Sequence, residues 1–163
     1  MAIDQNPDAI DRPFKVGRLL FNADDHVFDF IKEHIGMDFE ANGPFKAVGI
    51  LDNDGLLVAG ACYHDFFNNS AMFAGAASRG RKWATKNVMR GLFAHAFIAL
   101  ELHRLTALVD ETNTQAVKWN LKAGFVEEGR LREAGKDESD VIVFGLLKSE
   151  CRWINGQRII NHG

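Results

Sequence analysis

Four cations, Arg79, Arg81, Lys82 and Lys86, fall within eight positions of the sequence. They stand just before a segment whose apolar residues recur at helical spacing. A loop that runs into a helix N-terminus offers unpaired N–H groups and the positive end of the helix dipole, so it can hold a phosphate. A solvated basic turn has the same composition. The position between a predicted strand and a predicted helix favours the anion-binding interpretation.

A second candidate is Asn113, which lies at a predicted corner between a strand and a helix. Residues 104–109 are a short apolar run typical of a strand, and residues 110–113 are polar. Residues 114–123 can form a helix that ends at Gly124, where a residue without Cβ is favoured. Asn113 is therefore either a ligand-binding side chain at the corner or the N-cap of the helix, a role that asparagine favours.

Length and composition limit the class of protein. The chain has 163 residues, 47% of them hydrophobic, which suits one domain with a sizeable core. The net charge of −3 gives no indication of nucleic-acid binding. No apolar run is long enough to span a bilayer, and the acidic N-terminus is unlike a signal peptide, so we expect a cytoplasmic protein. Residues 1–13 are predicted to be a loose arm and residues 14–163 a single domain.

Cysteine and histidine spacing argues against several kinds of site. Cys62 and Cys151 form no CxxC motif and are expected to be reduced, with Cys62 buried in a strand. No HExxH or Cys/His ligand spacing occurs, so no metal is predicted. The absence of a GxSxG elbow argues against a serine hydrolase. His26, His95 and His103 are interpreted as surface or packing residues.

The hydrophobic pattern predicts an α/β fold, with a mixed, mostly antiparallel sheet of six or seven strands and flanking helices. The predicted strands are residues 14–21, 47–51, 56–66, 70–77, 104–109, 127–132 and 140–147, and the predicted helices are residues 24–36, 84–100 and 114–123. The turn at residues 52–55 ends in Asp-Gly, which is a strong hairpin signal. Val27 and Ile31 are expected to face a core.

Small residues cluster at the end of the predicted strand 70–77. Gly75 within a strand indicates either a bulge or the close approach of other backbone. Ala76 and Ala77 follow it and leave room beside the strand for an elongated ligand. Tight packing against another element of the protein would need the same small residues, so both interpretations stay open.

One ordered set of residues extends the argument to a family. The set is the Arg-Leu pair at 104–105, Asn113, Ala116, Lys-Ala-Gly-Phe at 122–125 and Glu-Gly-Arg-Leu-Arg at 128–132. This order resembles the GCN5-related N-acetyltransferases, in particular the ribosomal-protein N-terminal acetyltransferases, over roughly residues 48–153. The resemblance implies a sheet that is splayed between the strands at Ser70 and Arg104, with acetyl-CoA bound in the splay.

The family also implies a set of cofactor-binding residues. In it, a Q/R-x-x-G-x-G/A loop holds the pyrophosphate, the preceding strand faces the pantetheine arm, and an asparagine holds that arm. The corresponding residues here are Ala76, Ala77, Arg79, Gly80, Arg81, Lys82, Trp83, Ala84, Thr85 and Asn113. Lys82 replaces the central glycine, which allows close approach of backbone. Its side chain either stays in solvent or contacts a phosphate as a cation.

Acyl transfer to an amine, which the resemblance implies, needs few side chains. A free amine has a pKa of about 10 and attacks only when neutral, so a base is useful. Glu111 at the corner and His64 at a strand end are the candidate bases, and each can equally be an exposed polar residue. Many family members place a tyrosine seven residues after the asparagine, as an acid for the leaving thiolate. Asn120 occupies that position and has no titratable proton.

Two functional hypotheses follow. The first is an N-acetyltransferase that moves an acetyl group directly from acetyl-CoA to a primary amine, either a protein N-terminus or a small molecule. Its expected partners are acetyl-CoA and the amine, without metal, nucleic acid or membrane, and a homodimer is left open. The second is a non-catalytic protein of the same fold that binds acyl-CoA or a protein partner. Lys82 and Asn120 are the departures from the family pattern that keep the second hypothesis open.

Overall fold

The computed structural model describes residues 12–36, 38–78 and 82–155, which form one α/β domain around an eight-stranded sheet of order β1-β2-β3-β4-β5-β6-β8-β7. The strands are β1 (Phe14–Val16), β2 (Leu19–Phe21), β3 (Lys46–Leu51), β4 (Leu57–Phe67), β5 (Ser70–Ala77), β6 (Arg104–Asp110), β7 (Val126–Leu131) and β8 (Val141–Leu147). The α-helices are α1 (Asp24–His34), α2 (Lys86–Ala94), α3 (Thr114–Ala123) and α4 (Arg152–Asn155). Of the arm predicted at residues 1–13, residues 1–11 lie outside the described part of the chain, and the arm stays a prediction.

The eighth strand comes from the segment predicted as a single strand at residues 14–21. The chain turns back at Gly17, whose φ of 60° is in the left-handed region, and β1 and β2 pair antiparallel with Phe14 opposite Phe21. Glycine adopts this conformation without a Cβ clash. The remaining predicted strands are present to within one or two residues of their expected bounds.

Helix α1 packs directly on the sheet over two glycines. A Cβ on Gly60 would lie 2.8 Å from Val27 Cγ1, and one on Gly49 would lie 3.0 Å from Val27 Cγ2. Val27 and Ile31 are fully buried, as their helical spacing predicted. The missing Cβ atoms therefore let α1 approach β3 and β4 more closely than a side chain would allow.

Helices α2 and α3 pack on the opposite face of the sheet. Successive residues of a strand point to opposite faces, and Ala61 and Tyr63 of β4 belong to the core that holds α2 and α3, whereas Cys62 packs with α1. The helix predicted at residues 84–100 is α2 followed by a π-helical turn, His95–Ala99. The buried Tyr63 hydroxyl donates to the Leu92 carbonyl at 2.8 Å, one turn before that widening. An inserted polar group is a common cause of such an irregularity.

The sheet is splayed between β5 and β6, as predicted. These strands are parallel and pair over only three positions, Ser70 with Arg104, Ala71 with Leu105 and Met72 with Thr106. Beyond Met72 the strands separate, although β5 continues to Ala77 and β6 continues to Asp110. The other strand pairs are antiparallel. The gap therefore opens towards the C-terminal ends of the two strands.

Gly75 marks a close approach of backbone rather than a bulge. It pairs in register with Ala61, and a Cβ at this position would lie 3.0 Å from the Gly60 carbonyl oxygen. The register shift between β4 and β5 lies instead between His64 and Phe67, where Asp65 has a φ of 47°. Of the two alternatives left open by the sequence, the close approach is the one found.

The C-terminal elements close the main core. Helix α4 places Trp153 against the body of the protein, where its Nε1–H donates to the Ala123 carbonyl at 2.8 Å. Gly124 ends α3 with a φ of 105°, and Phe125 is buried directly after it, as the pattern predicted. None of the helices in the described residues is long and apolar enough to cross a bilayer.

Candidate active site

The separation of β5 and β6 leaves an opening of about 400 Å³. Its walls are residues 73–78, from β5 onward, and residues 107–110 of β6. Leu92 and Trp119 line it from the face that carries α2 and α3, and Ile35 lines it from the face that carries α1. The opening therefore passes through the sheet, and two molecules can meet inside it from opposite faces.

The two strand edges that face each other across the opening have no strand partner. On β5 this holds for residues 73–77 and on β6 for residues 107–110, because strand pairing ends at Met72 and Thr106. Unpaired backbone N–H and C=O groups seek a hydrogen-bonding partner, so the edges suit an elongated ligand that carries amides. Ala76 and Ala77 line the opening and are the residues whose small size predicted room for such a ligand.

Asn113 lies at the start of α3, on the rim of the opening. Its Oδ1 accepts a hydrogen bond from the Ala116 backbone N–H at 3.1 Å, so the side chain is the N-cap of α3. The Nδ2 group has no partner among the described residues and stays free to donate to a ligand. The two roles left open by the sequence are thus compatible, because each uses a different atom of the amide.

Asp110 also lines the opening, but its carboxylate is fully engaged. It accepts from the Thr112 hydroxyl at 2.7 Å, the Thr112 and Lys136 backbone N–H groups at 2.9 Å, and the Ser139 hydroxyl at 2.8 Å. These bonds, the Thr112 hydroxyl foremost, hold the pKa of Asp110 well below its usual range. Such a carboxylate stabilises the corner before α3 and is a poor proton acceptor at neutral pH.

Asn120 lines the opening and carries an acceptor atom without a partner. The residue is 5% exposed, and its Nδ2 donates to the Ala116 carbonyl at 2.9 Å. This bond to a carbonyl identifies the nitrogen, so the buried Oδ1 is the atom without a partner. Among the described residues, one other buried side-chain atom has no hydrogen-bond partner. It is Nε1 of Trp83, which also lines the opening. Buried polar atoms are rarely left unpaired, so both atoms point to a bound ligand.

The C-terminal end of α1 contributes His34, which the sequence analysis did not single out. His34 lines the opening next to Ile35. Its Nδ1 lies 2.8 Å from the Phe30 carbonyl oxygen, and its ring stacks on the Phe30 ring with centroids 4.2 Å apart. A basic residue in the last turn of a helix is ordinary, because it complements the helix dipole. The sequence therefore carried no signal that distinguished this histidine.

The two predicted bases lie away from the opening. His64 is buried, with Nδ1 2.8 Å from Asp65 Oδ2 and the ring edge against Phe39, and it is not among the lining residues. Glu111 accepts from Arg130 Nη1 and from the Asp140 backbone N–H, both at 3.0 Å, on the β7–β8 side of the corner. Their roles as bases stay predictions, and neither is supported by a position next to the opening.

The predicted pyrophosphate loop is described only in part. Arg79, Gly80 and Arg81 lie outside the described residues, and their role stays a prediction. The Lys82 side chain is exposed and does not line the opening. Thr85 is the N-cap of α2 and accepts from the Val88 backbone N–H at 3.3 Å, while Ala84 packs against the core.

Neither a nucleophilic cysteine nor a metal cluster occurs in the described residues around the site. Cys62 is fully buried, and burial, with the charges of Asp24 and Asp65, raises the pKa of its thiol to about 12. A thiol in this condition is protonated and inert at neutral pH. Across residues 12–36, 38–78 and 82–155, no three His, Cys, Asp or Glu side chains come together to hold a metal ion.

Comparison with known proteins gives the fold a context. No protein-family model matches the sequence, and a search of curated proteins finds no match. Among solved structures, the spermidine N-acetyltransferase SpeG from Vibrio cholerae in complex with CoA and spermine is 22% identical, with a TM-score of 0.59 over 77% of this chain and 76% of that chain. The same enzyme with manganese ions is 21% identical, with a TM-score of 0.60 over 85% and 82% of the two chains.

A point mutant of that enzyme matches over a larger part of the chain. It covers 93% of this chain and 89% of its own, at 19% identity and a TM-score of 0.61. The chain therefore has the fold of the GCN5-related N-acetyltransferases.

Proposed function

We propose that the protein transfers an acetyl group from acetyl-CoA to a primary amine. The observation that carries the proposal is the opening between β5 and β6, which passes through the sheet and is lined by helices from both faces. A reaction between an extended cofactor and a separate acceptor needs a site that both can enter. An opening of about 400 Å³ lies in the range of ordinary ligand sites.

One end of the opening suits the cofactor. The N-terminus of α3, capped by Asn113, borders it, and α2 begins close by at Thr85. Helix N-termini favour negative charge, which matches the phosphates of acetyl-CoA. The unpaired backbone edge that contains Ala76 and Ala77 matches the amides of the pantetheine arm. Arg79, Gly80, Arg81 and Lys82 are the residues we assign to the pyrophosphate, as the loop pattern predicted.

The other end suits an amine. Helix α1 ends at the opening, with Ile35 as its C-cap. The C-terminus of a helix carries partial negative charge, which favours a cation. Because the Oδ1 of Asn120 is an acceptor without a partner, it can accept an N–H hydrogen bond from the amine. The same oxygen cannot protonate the leaving thiolate.

The lining residues favour direct transfer. Ser78 carries the one hydroxyl side chain among the described residues that line the opening, and it donates to the Val58 carbonyl at 3.3 Å without a histidine or carboxylate partner. A serine without a base is a weak nucleophile. The amine nitrogen therefore attacks the thioester carbonyl itself, the C–S bond breaks, and the thiolate leaves and takes up a proton.

The acceptor is a primary amine, and two sources fit. The sequence resembles the ribosomal-protein N-terminal acetyltransferases, whereas the similar solved structures are spermidine N-acetyltransferases, one with spermine bound. The test measures release of free CoA thiol over a panel of spermidine, spermine, aminoglycosides and peptides with free N-termini. We expect release of the CoA thiol with at least one amine. If that amine is a peptide N-terminus, the same peptide with a blocked N-terminus should give no release.

A non-catalytic binding protein is the second candidate. Two departures from the family pattern favour it, Lys82 in the loop and Asn120 in the position of the tyrosine. Calorimetry with acetyl-CoA separates the candidates. Binding of acetyl-CoA without thiol release on the whole panel would establish the binding protein, and the absence of any binding at millimolar concentration would reject both.

A further inference from the structure

We propose that His34 is the base that removes a proton from the acceptor ammonium inside the opening. This inference rests on the proposed amine acetylation and adds a residue that neither the sequence pattern nor the family resemblance indicated. It starts from the position of His34, which lines the opening from the face that carries α1, opposite the cofactor end.

The imidazole is held in one orientation and one tautomer. Its Nδ1 is 2.8 Å from the Phe30 carbonyl, which can only accept, so Nδ1 carries the hydrogen. Nε2 then carries the lone pair and is the basic atom. Stacking on the Phe30 ring, with centroids 4.2 Å apart, fixes the plane of the imidazole. A base that is oriented by a carbonyl on its other nitrogen is a common catalytic arrangement.

No other described side chain that lines the opening is as available to act as the base. Among the described lining residues, only His34 and Asp110 carry a side chain that can act as a base, and the four hydrogen bonds to Asp110 occupy its carboxylate. The lining residues of β3, β4, β5, α2 and α3 carry no charge. Along its own helix His34 directly follows Lys32 and Glu33, and Lys32 is paired with Glu40.

The proton balance is complete without a further reactant. The ammonium gives one proton to His34 Nε2 and becomes a neutral amine with a free electron pair. That pair forms the new C–N bond, the C–S bond breaks, and the second proton lost by the nitrogen passes to the thiolate to give the CoA thiol. His34 is exposed, so the imidazolium returns its proton to solvent. One proton is released for each amine that enters as a cation.

The test compares His34→Gln with the unaltered protein over a range of pH. General-base catalysis contributes roughly a hundredfold or more, so kcat/KM at neutral pH should fall by about that factor, while acetyl-CoA affinity by calorimetry stays unchanged. The difference in kcat/KM between His34→Gln and the unaltered protein should shrink as the pH rises towards the pKa of the amine. It should also be smaller for a peptide N-terminus, with a pKa near ~8, than for an alkylamine near ~10.

His26→Gln is the matched control, because His26 is exposed on the same helix and does not line the opening. It should retain the kcat/KM of the unaltered protein. Equal activity of His34→Gln at neutral pH, or a deficit independent of pH and of amine pKa, would overturn the inference while leaving amine acetylation in place. If the unaltered protein releases no CoA with any amine, the proposed function fails and the inference fails with it.

Discussion

The two ends of the opening are assembled differently. The cofactor end is built from two continuous segments, β5 with the chain that leads into α2, and β6 with the Asp110 corner and α3. The acceptor end depends on α1, which reaches the opening only by packing across β3 and β4. A continuous segment can be capped and terminated by its own residues, whereas a helix laid across a sheet is positioned by side chains that are distant in sequence. The two ends should therefore respond to different mutations.

After His34, the largest effect is expected for Asn120, whose Oδ1 we assign to the amine. Asn120→Leu keeps the branching of the side chain and removes the unpartnered Oδ1. If this oxygen binds the amine, the loss of a hydrogen bond to a charged group costs about 1.5–3 kcal/mol, which lowers kcat/KM roughly tenfold to a hundredfold. The free energy of unfolding should change by less than about 1 kcal/mol, because removal of a buried unpaired acceptor offsets the lost Nδ2 bond to the Ala116 carbonyl.

Chemical denaturation and CoA-release kinetics measure the two quantities for Asn120→Leu. A less stable variant with full activity would contradict the assignment and make Asn120 a residue of the helix scaffold. The control is acetyl-CoA affinity, which should be retained, since the proposed partner of Oδ1 is the amine.

The acceptor end alone should be disturbed by Gly49→Ala. The new Cβ would lie 2.7 Å from Leu57 Cδ1 and 3.0 Å from Val27 Cγ2, so the Leu57 side chain must move and Val27 of α1 must give way slightly. Overpacking of this kind costs about 1–3 kcal/mol of unfolding free energy. KM for the amine should rise, while the Kd of acetyl-CoA should change little.

Gly129→Ala is the control for Gly49→Ala. Nothing lies within 4 Å of a Cβ at Gly129, so its stability should stay within about 0.5 kcal/mol of the unaltered protein. A parallel loss of acetyl-CoA affinity in Gly49→Ala would show that the two ends are not independent.

The cofactor end should be disturbed by Asn113→Asp. Aspartate caps a helix as well as asparagine does, so the unfolding free energy should change by less than about 0.5 kcal/mol. The variant lacks the Nδ2 donor and adds a negative charge near the expected phosphates, so acetyl-CoA should bind about three to ten times more weakly. Calorimetry measures the affinity for acetyl-CoA. An unchanged affinity would show that Asn113 serves only as the N-cap of α3.

Asn113→Ala completes the comparison. It removes both the cap and the donor, so it should lose about 1 kcal/mol of stability as well as affinity. If Asn113→Ala loses stability but keeps its affinity for acetyl-CoA, Asn113 acts as the N-cap and does not bind the cofactor.

The smallest effect concerns Asp110 and the pH dependence of stability. The hydrogen bonds of Asp110 lower its pKa in the folded state. Its contribution to the free energy of unfolding is therefore complete above the ordinary carboxyl pKa of about 3.9, and it is lost as the pH falls through the folded-state pKa. Asp110→Asn should therefore have a lower thermal midpoint than the unaltered protein at pH 6. The difference should diminish as the pH falls below about 4. A difference that is constant over pH would show that the carboxylate charge is not involved.

Much of the fold could be predicted from sequence because its signals are local. The strand at residues 70–77, the β6–α3 corner and the end of α3 at Gly124 are each set by neighbouring residues, and the structure reproduces them. The segment at 14–21 was predicted as one strand because an apolar run conceals a tight turn at Gly17. The single helix predicted at residues 84–100 did not include the π-helical turn at His95–Ala99, which follows the carbonyl that the distant Tyr63 hydroxyl contacts.

The sequence by itself indicated Ala76, Ala77 and Asn113, which line the opening in the structure. Small residues on β5 and an asparagine at a helix start are readable because backbone conformation and capping act over a few residues. Only the tertiary structure brought His34 to the same opening, and it placed His64 and Glu111 elsewhere. The reason is that a side chain enters a site through the packing of its helix or strand. For α1 that packing depends on Gly49 and Gly60, which lie at least fifteen residues further along the chain.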